Sequence, residues 1–468
     1  MINIFYNEWK GFLRNKLFIF LTSFFVFSLF LVTYLSVLQN KKQIENQEDA
    51  HEYIRSQWDE IDSTNAHSAA HFGTFAFKPN TILNSLDEGI NSVTGLVLRL
   101  EGHKQNDVAY SERSQSLEIS KFGKFKPYLI FQFIIPLLLI FLSFNSYTSE
   151  VSSGRLKLLI VQGNNINKIV FGKIFTLYSI SIILLIITII IQSLFTFYEF
   201  SLDEMIRLFI FFLCYAFYYF IIISLTIFLS IVFKNNISSL SISLIIWLLW
   251  TIFLPKTIGN FTENLHNLPS RFELKEEMTN DRSKGIDGHN PSDKRRSELE
   301  KKVLKKYNVE TVAQLPINFS GILLQADEEY GNKVWDKHFG RVHEILKKQK
   351  RTYQISGLIN PFASLQSLSM ASCGTDLIHH LDFLNASESY RRYFVEALNN
   401  EYTFVSTSGD NAYLSNNEFF RSINDFIYVS PKFSLFFHYY FLDALSLTIW
   451  ILILIFSINY KLRKIVIQ

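Results

Sequence analysis

Three groups of side chains have the types and spacing to do chemistry. His67 and His71 stand four residues apart in His-Ser-Ala-Ala-His. On a helix that spacing puts both imidazoles on one face, where they could ligate a metal ion. No acidic third ligand stands at a motif spacing from them, so the pair reads as hydrogen-bonded histidines at the start of a folded domain. The second group is Met370, Cys373 and His379, whose soft sulfur and imidazole donors suit an ion such as copper. Gly374-Thr375-Asp376 lies between them and reads as a turn and helix N-cap, which leaves the histidines on the following helix. Both clusters are therefore expected to be structural, with no resident metal. The third group is Asp443, the one acid inside an apolar run, with His438 a turn and a half before it. An ionisable group in such a run is a functional candidate by default. Both residues, however, fall near the outer end of the run, where interfacial water is expected to reach them.

The stretch from Ser149 to Lys173 organises the rest. It is basic and punctuated by glycine, and it is wedged between two long apolar runs. Leu156, Leu158, Leu159 and Val161 give it an amphipathic core, and Gly163 breaks it. The pattern predicts a short helix lying across the mouth of the membrane with one face available to a partner. A nucleotide site is not here. Isoleucine follows Gly172-Lys173 where a phosphate-binding loop needs a hydroxyl, and Asn167 stands where it needs a glycine. The chain does not bind ATP by a P-loop.

The elements that position these residues follow from composition. Of 468 residues 49% are hydrophobic, and 46 Phe stand beside only 9 Pro, which points to several lipid-facing helices. A net charge of +3 is too small to argue for nucleic acid. Cys214, in an apolar run, and Cys373, in a polar one, are not expected to pair. Apolar runs long enough to cross a bilayer cover 17–38, 128–147, 174–197, 205–233, 237–254 and 439–459. No small-residue cleavage site follows the first run, which reads as an uncleaved span. Residues 1–16 interleave Ile4, Phe5, Trp9, Phe12 and Leu13 with Lys10, Arg14 and Lys16, the pattern of a helix lying in the headgroups.

Positive charge sets the orientation. Lys10, Arg14, Lys16, Arg155, Lys157, Lys168, Lys173, Lys234, Lys461, Arg463 and Lys464 flank one side. The loop between the third and fourth spans carries Glu199, Asp203 and Glu204 instead. Both termini are expected in the cytoplasm, with the polar regions 39–127 and 255–438 outside. Lys121, Lys124 and Lys126 oppose the rule, from which long translocated domains are largely exempt. Within the second region, helices are expected over 292–307, over 322–350 with Tyr330, Val334, His338, Val342 and Ile345 on a buried stripe, and over 385–400 with Asn385 as cap. The run 279–293 is expected as a loop. The fold class is mainly α: a polytopic membrane protein with six spans, an N-terminal amphipathic helix and a mostly helical outer domain built from two insertions.

The order acid, Gly, basic-apolar helix, Gly and Gly-Lys, carried by Glu150, Gly154, Arg155, Leu156, Leu158, Leu159, Gly163, Gly172 and Lys173, resembles the coupling loop of ABC transporter permeases of the type-2 (exporter) superfamily. Residues 1–16 resemble the elbow helix of the same proteins. A second likeness runs through His71–Pro79, Asp87-Glu88-Gly89, Asn360-Pro361-Phe362, Ser369-Met370, Gly374-Thr375-Asp376, Glu388–Arg391 and Leu398-Asn399. These resemble a subfamily with large extracytoplasmic domains between spans one and two and between spans five and six. That subfamily is grouped with permeases described as involved in multi-copper enzyme maturation. The resemblance implies a chain that is not itself an enzyme and binds no cofactor. ATP and Mg would sit on a separate ABC ATPase subunit, and a second permease subunit, the same or related, would complete the unit. Two functions are compatible with it: movement of a substrate across the cytoplasmic membrane, or force transmission to an extracytoplasmic protein without transport.

Overall fold

A single asparagine separates the first two helices. Ile2–Arg14 stops where Asn15 adopts extended backbone, and the Asn15 side chain accepts from the N–H groups of Leu17 and Phe18 to start the next helix. This is the N-cap arrangement that satisfies otherwise orphaned donors. The computed structural model describes residues 1–106, 125–196, 200–233, 235–408 and 413–464. Lys121, Lys124, Glu199 and Lys234, invoked above for orientation, lie outside the described residues.

Among the described residues, six helices are long and apolar enough to cross a membrane: Lys16–Asp59, Pro127–Ser152, Ile166–Thr196, Leu202–Val232, Asn236–Leu265 and Phe433–Arg463. They are numbered here as spans one to six. In its most apolar window the fourth is 67% buried and the first only 17%, so the fourth is the hub. It packs on the third, the sixth and the helix Pro361–Ser372. That last helix is too short to span, yet Phe362, Ala363, Leu365 and Ala371 are fully buried. It wedges between the fourth and sixth spans.

Spans two and five share a device. Each contains one wide π turn, Ile130–Ile134 and Leu249–Phe253, and each turn precedes a proline, Pro136 and Pro255. Proline has no N–H and crowds the carbonyl of the preceding turn, so the helix widens there. The carbonyl five residues before each proline then loses its intrahelical donor. Phe131 O accepts instead from the Tyr219 hydroxyl at 3.0 Å, and Trp250 O from Asn360 Nδ2 at 3.0 Å. In lipid, backbone groups must find such internal partners.

The polar part is built from both insertions. Span one runs without a break out to Asp59. Strand β1 (Ser63–Thr64) pairs antiparallel with β4 (Ser415–Asn416), and β2 (Thr74–Phe77) with β3 (Val97–Leu100). The β1–β4 ladder therefore joins chain segments some 350 residues apart. Trp58 packs on Phe394 and Phe420 in one shared core.

Three expectations need correction. The helix expected to begin at Asn385 runs over Leu377–Phe404. Its cap is Asp376, which accepts from His379 N, and no Gly or Pro interrupts it at 385. The stretch 279–293 is not all loop, because a capping box between Ser270 and Glu273 launches the helix Arg271–Lys284. Helix Phe319–Ile355 is capped by Asn318 and outruns the expected 322–350; Val334 and His338 of its stripe are buried, whereas Tyr330, Val342 and Ile345 are only partly so.

Candidate functional site

The connection between spans two and three is fixed at both ends, by Glu150 at the end of span two and Lys173 in the first turns of span three. Glu150 lies in the short helix Thr148–Ser152 and is buried. Its carboxylate accepts from Lys173 Nζ at 3.1 Å and faces Arg155 Nε at 3.4 Å. Lys173, buried near the start of span three, also reaches Glu8 of the N-terminal helix at 2.5 Å. One ammonium thus ties the N-terminal helix to the segment 148–173. Glu150 belongs to an ion cluster that joins it to Lys173 and to Arg155 of the following helix.

The helix Arg155–Val161 hangs from this anchor. Leu156 is buried, and Leu159 and Ile160 are partly so. Leu158 and Val161 are 63% and 86% exposed, so the four apolar residues of the amphipathic core divide between a covered face and an exposed one. Gly154 begins the helix at φ +72°, a conformation that favours glycine, and a Cβ there would meet nothing within 4 Å. Its glycine is required by backbone conformation and not by close packing within the chain. Close packing is the constraint at Gly172, where a Cβ would stand 3.0 Å from Ile4. Gly163 has φ +85° and open space around it.

Asp443 and His438 part company. His438 is exposed. Asp443 is fully buried, against the expectation of interfacial water, and accepts from Gln354 Nε2 at 2.6 Å and Ser367 Oγ at 2.7 Å. The helix Phe319–Ile355 folds back onto span six, which the local sequence does not signal. One helical turn away, Asp376 accepts from Lys350 Nζ at 2.9 Å and Tyr440 Oη at 2.8 Å. Burial opposes charge on Asp376, but Lys350 and the hydrogen bond from His379 hold its carboxyl well below the usual range.

Met370, Cys373 and His379 do not offer a set of free donors. His379 donates Nδ1–H to Asp376 at 2.6 Å, and its Nε2 accepts from the Arg207 guanidinium at 3.1 Å. Burial, opposed by Asp376 and joined by Arg207, pushes its pKa down. The neutral ring has no nitrogen left for an ion. Burial likewise pushes the Cys373 thiol far up, away from the thiolate a metal needs.

His67 and His71 lie on the helix Ala66–Phe72, with their Nε2 atoms 3.2 Å apart. His71 is exposed, and its contact with His67 is the hydrogen bond expected of the pair. A third imidazole, His103, joins them from the turn after β3, and a ring nitrogen of each lies within 4.8 Å of the other two. Sequence spacing gave no hint of His103; only the β2–β3 pairing brings it to the helix. Its Nδ1 faces the buried Glu328 at 2.7 Å. Burial works against the Glu328 anion, yet the His103 hydrogen bond and Arg391 bring its pKa down to about 2.

Six apolar helices of spanning length, with an amphipathic N-terminal helix and an anchored helical segment between spans two and three, define a mainly α, multi-pass membrane protein. Residues 2–311 match the family described as ABC-2 family transporter protein, and the chain belongs to that family. Residues 272–428 match a domain of unknown function, DUF3526. No curated protein and no solved structure matches the chain. The family identifies a multi-pass permease subunit of an ABC transporter, which is not itself catalytic.

Proposed function

We propose that a separate ABC ATPase, carrying ATP and Mg, drives this chain by docking on the helix Arg155–Val161, and that two permease subunits complete the unit. The observation that carries the reading is the exposure of Leu158 and Val161 on a helix whose other end is pinned by Leu156 and by the Glu150–Lys173–Glu8 cluster. An anchored helix with exposed apolar side chains suits a partner surface. Both termini and this helix would lie in the cytoplasm, with both polar regions outside. The sparsely buried spans one, five and six, at 17%, 22% and 28%, leave surface for lipid and for the second subunit. Motion of the docked helix would pass through Lys173 into span three and the N-terminal helix, and a substrate would cross between subunits.

A second reading, force transmission to an extracytoplasmic partner, has an observation of its own. Span one continues unbroken to Asp59 in the polar domain, and Gln354 and Lys350 lock helix Phe319–Ile355 to span six through Asp443 and Asp376. Movement of the spans would therefore be carried outward rigidly.

The test is co-purification of the cellular ATPase with the full chain bearing both Leu158→Asp and Val161→Asp. The double variant is expected to insert and melt normally and to lose the ATPase. Retention of the ATPase at the native ratio sinks the docking role.

A further inference from the structure

The three imidazoles of His67, His71 and His103 have no part in the coupling of spans to an ATPase, and their arrangement is that of a ligand set. The ring centroids form a near-equilateral triangle with sides of 4.7, 5.2 and 5.1 Å. The His67 and His71 Nε2 atoms are 3.2 Å apart. A tetrahedral zinc with Zn–N of about 2.0–2.1 Å needs nitrogens roughly 3.3 Å apart. A small rotation of His103 would bring its nitrogen from within 4.8 Å to that separation.

The third ring is held more firmly than an exposed turn requires. His103 has φ +61°, a region uncommon for a side chain-bearing residue. Such a backbone persists where its surroundings impose it, and it clusters at functional sites. Here two contacts impose it. The preceding Gly102 donates its N–H to Ala70 O at 2.8 Å, setting the turn directly on the histidine helix, where a Cβ at Gly102 would stand 3.3 Å from that of Ala70. The Glu328 carboxylate then takes both the backbone N–H and the Nδ1–H of His103. A carboxylate on Nδ1 fixes the tautomer that presents Nε2 as a lone-pair donor, the usual outer partner of a metal-bound imidazole. Glu328 is itself only 2% exposed and is braced by Arg391 at 3.1 Å, with Arg391 pinned in turn by Asn332 and Glu388.

We propose that His67, His71 and His103 form a binding site for a borderline divalent ion of the Zn²⁺ class. Three neutral nitrogens and no oxygen or sulfur in the set favour such an ion over Ca²⁺ or Mg²⁺, which take oxygen ligands. Exposure of His71 leaves a fourth coordination position toward solvent, open to water or to a group from another molecule. The ion would also staple the Gly102–His103 turn to helix Ala66–Phe72.

The test uses the untagged full chain in detergent, stripped with a chelator and titrated with Zn²⁺, and separately with Co²⁺ as a visible probe. One Zn²⁺ per chain and the intense visible band of tetrahedral Co²⁺ are expected. Loss of an outer-shell partner alone costs 10–100-fold in metal affinity, so His71→Ala and His103→Ala should each weaken Zn²⁺ by tenfold or more. Because His71 is exposed, His71→Ala should leave the melting temperature of the metal-free chain unchanged, which separates lost binding from lost folding. His289→Ala, in the 285–291 loop, serves as the control and should bind Zn²⁺ normally. Substoichiometric binding by the native chain, or a loss smaller than tenfold in His71→Ala, overturns the site.

Discussion

The Lys173 ammonium stands 3.1 Å from the Glu150 carboxylate, both side chains buried, and shares itself with Glu8 of the N-terminal helix. Removing one member of a buried pair strands the other, at a cost of about 3–5 kcal/mol, whereas a partly exposed acid contributes at most about 1 kcal/mol. Lys173→Met should therefore lower the melting temperature in detergent far more than Glu8→Gln does. Equal shifts in the two variants would show that the cluster is not centred on Lys173.

Gly154 and Gly172 should respond to different substitutions. At Gly154 the φ of +72° penalises any Cβ by roughly 1–2 kcal/mol, with no clash to add to it, so Gly154→Ala and Gly154→Leu should melt alike. At Gly172 a Cβ presses on Ile4 at 3.0 Å, so Gly172→Leu should be much worse than Gly172→Ala. Ile4→Ala should recover part of the Gly172→Ala loss. Thermal unfolding of the set, with protease access to the N-terminal helix as a second readout, checks this.

The carbonyl freed by Pro136 depends on Tyr219. Tyr219→Phe leaves Phe131 O buried without its donor and should cost about 1–3 kcal/mol. Pro136→Ala restores a backbone N–H to that turn, so the same Tyr219→Phe change should cost less in its background. A double-mutant cycle measures the difference. A cost unchanged by Pro136→Ala would sink the assignment.

Asp87 supplies a pH signature. Burial raises its pKa from 3.8 to about 6, against hydrogen bonds from Ser369 and the Gly89 N–H. Between those values the folded chain holds a proton that the unfolded chain has lost. Its contribution to stability is thus fully present below pH 3.8, declines as pH rises to about 6, and is flat above, on the order of 3 kcal/mol across the window. Asp87→Asn should remove that decline from the melting temperature–pH curve. A slope as steep in the variant as in the native chain would assign it to another group.

Much of this architecture could be read from local chemistry. Apolar runs of bilayer length read as helices in lipid, and six were legible. So were the amphipathic N-terminal helix, with its three- to four-residue apolar spacing, and the Asp376 cap. These are properties of neighbouring residues. The family was legible through a resemblance, carried by Glu150, Gly154, Gly163, Gly172 and Lys173 within one short segment, to the coupling loop of known permeases.

What only the tertiary structure decided involves residues distant along the chain. Asp443 looked like a residue near water, and becomes a buried acceptor because Gln354 and Ser367 fold over it. Gly154 and Gly172 look alike as letters; one answers to its own φ and the other to Ile4, 168 residues earlier. His67 and His71 announced themselves by a helical interval, but His103 and Glu328 reach them through a strand pairing and a helix fold-back. Periodicity records which face a residue shares with its neighbours in sequence. It carries no record of which distant segment will cover that face, because that is set by the packing of the whole bundle.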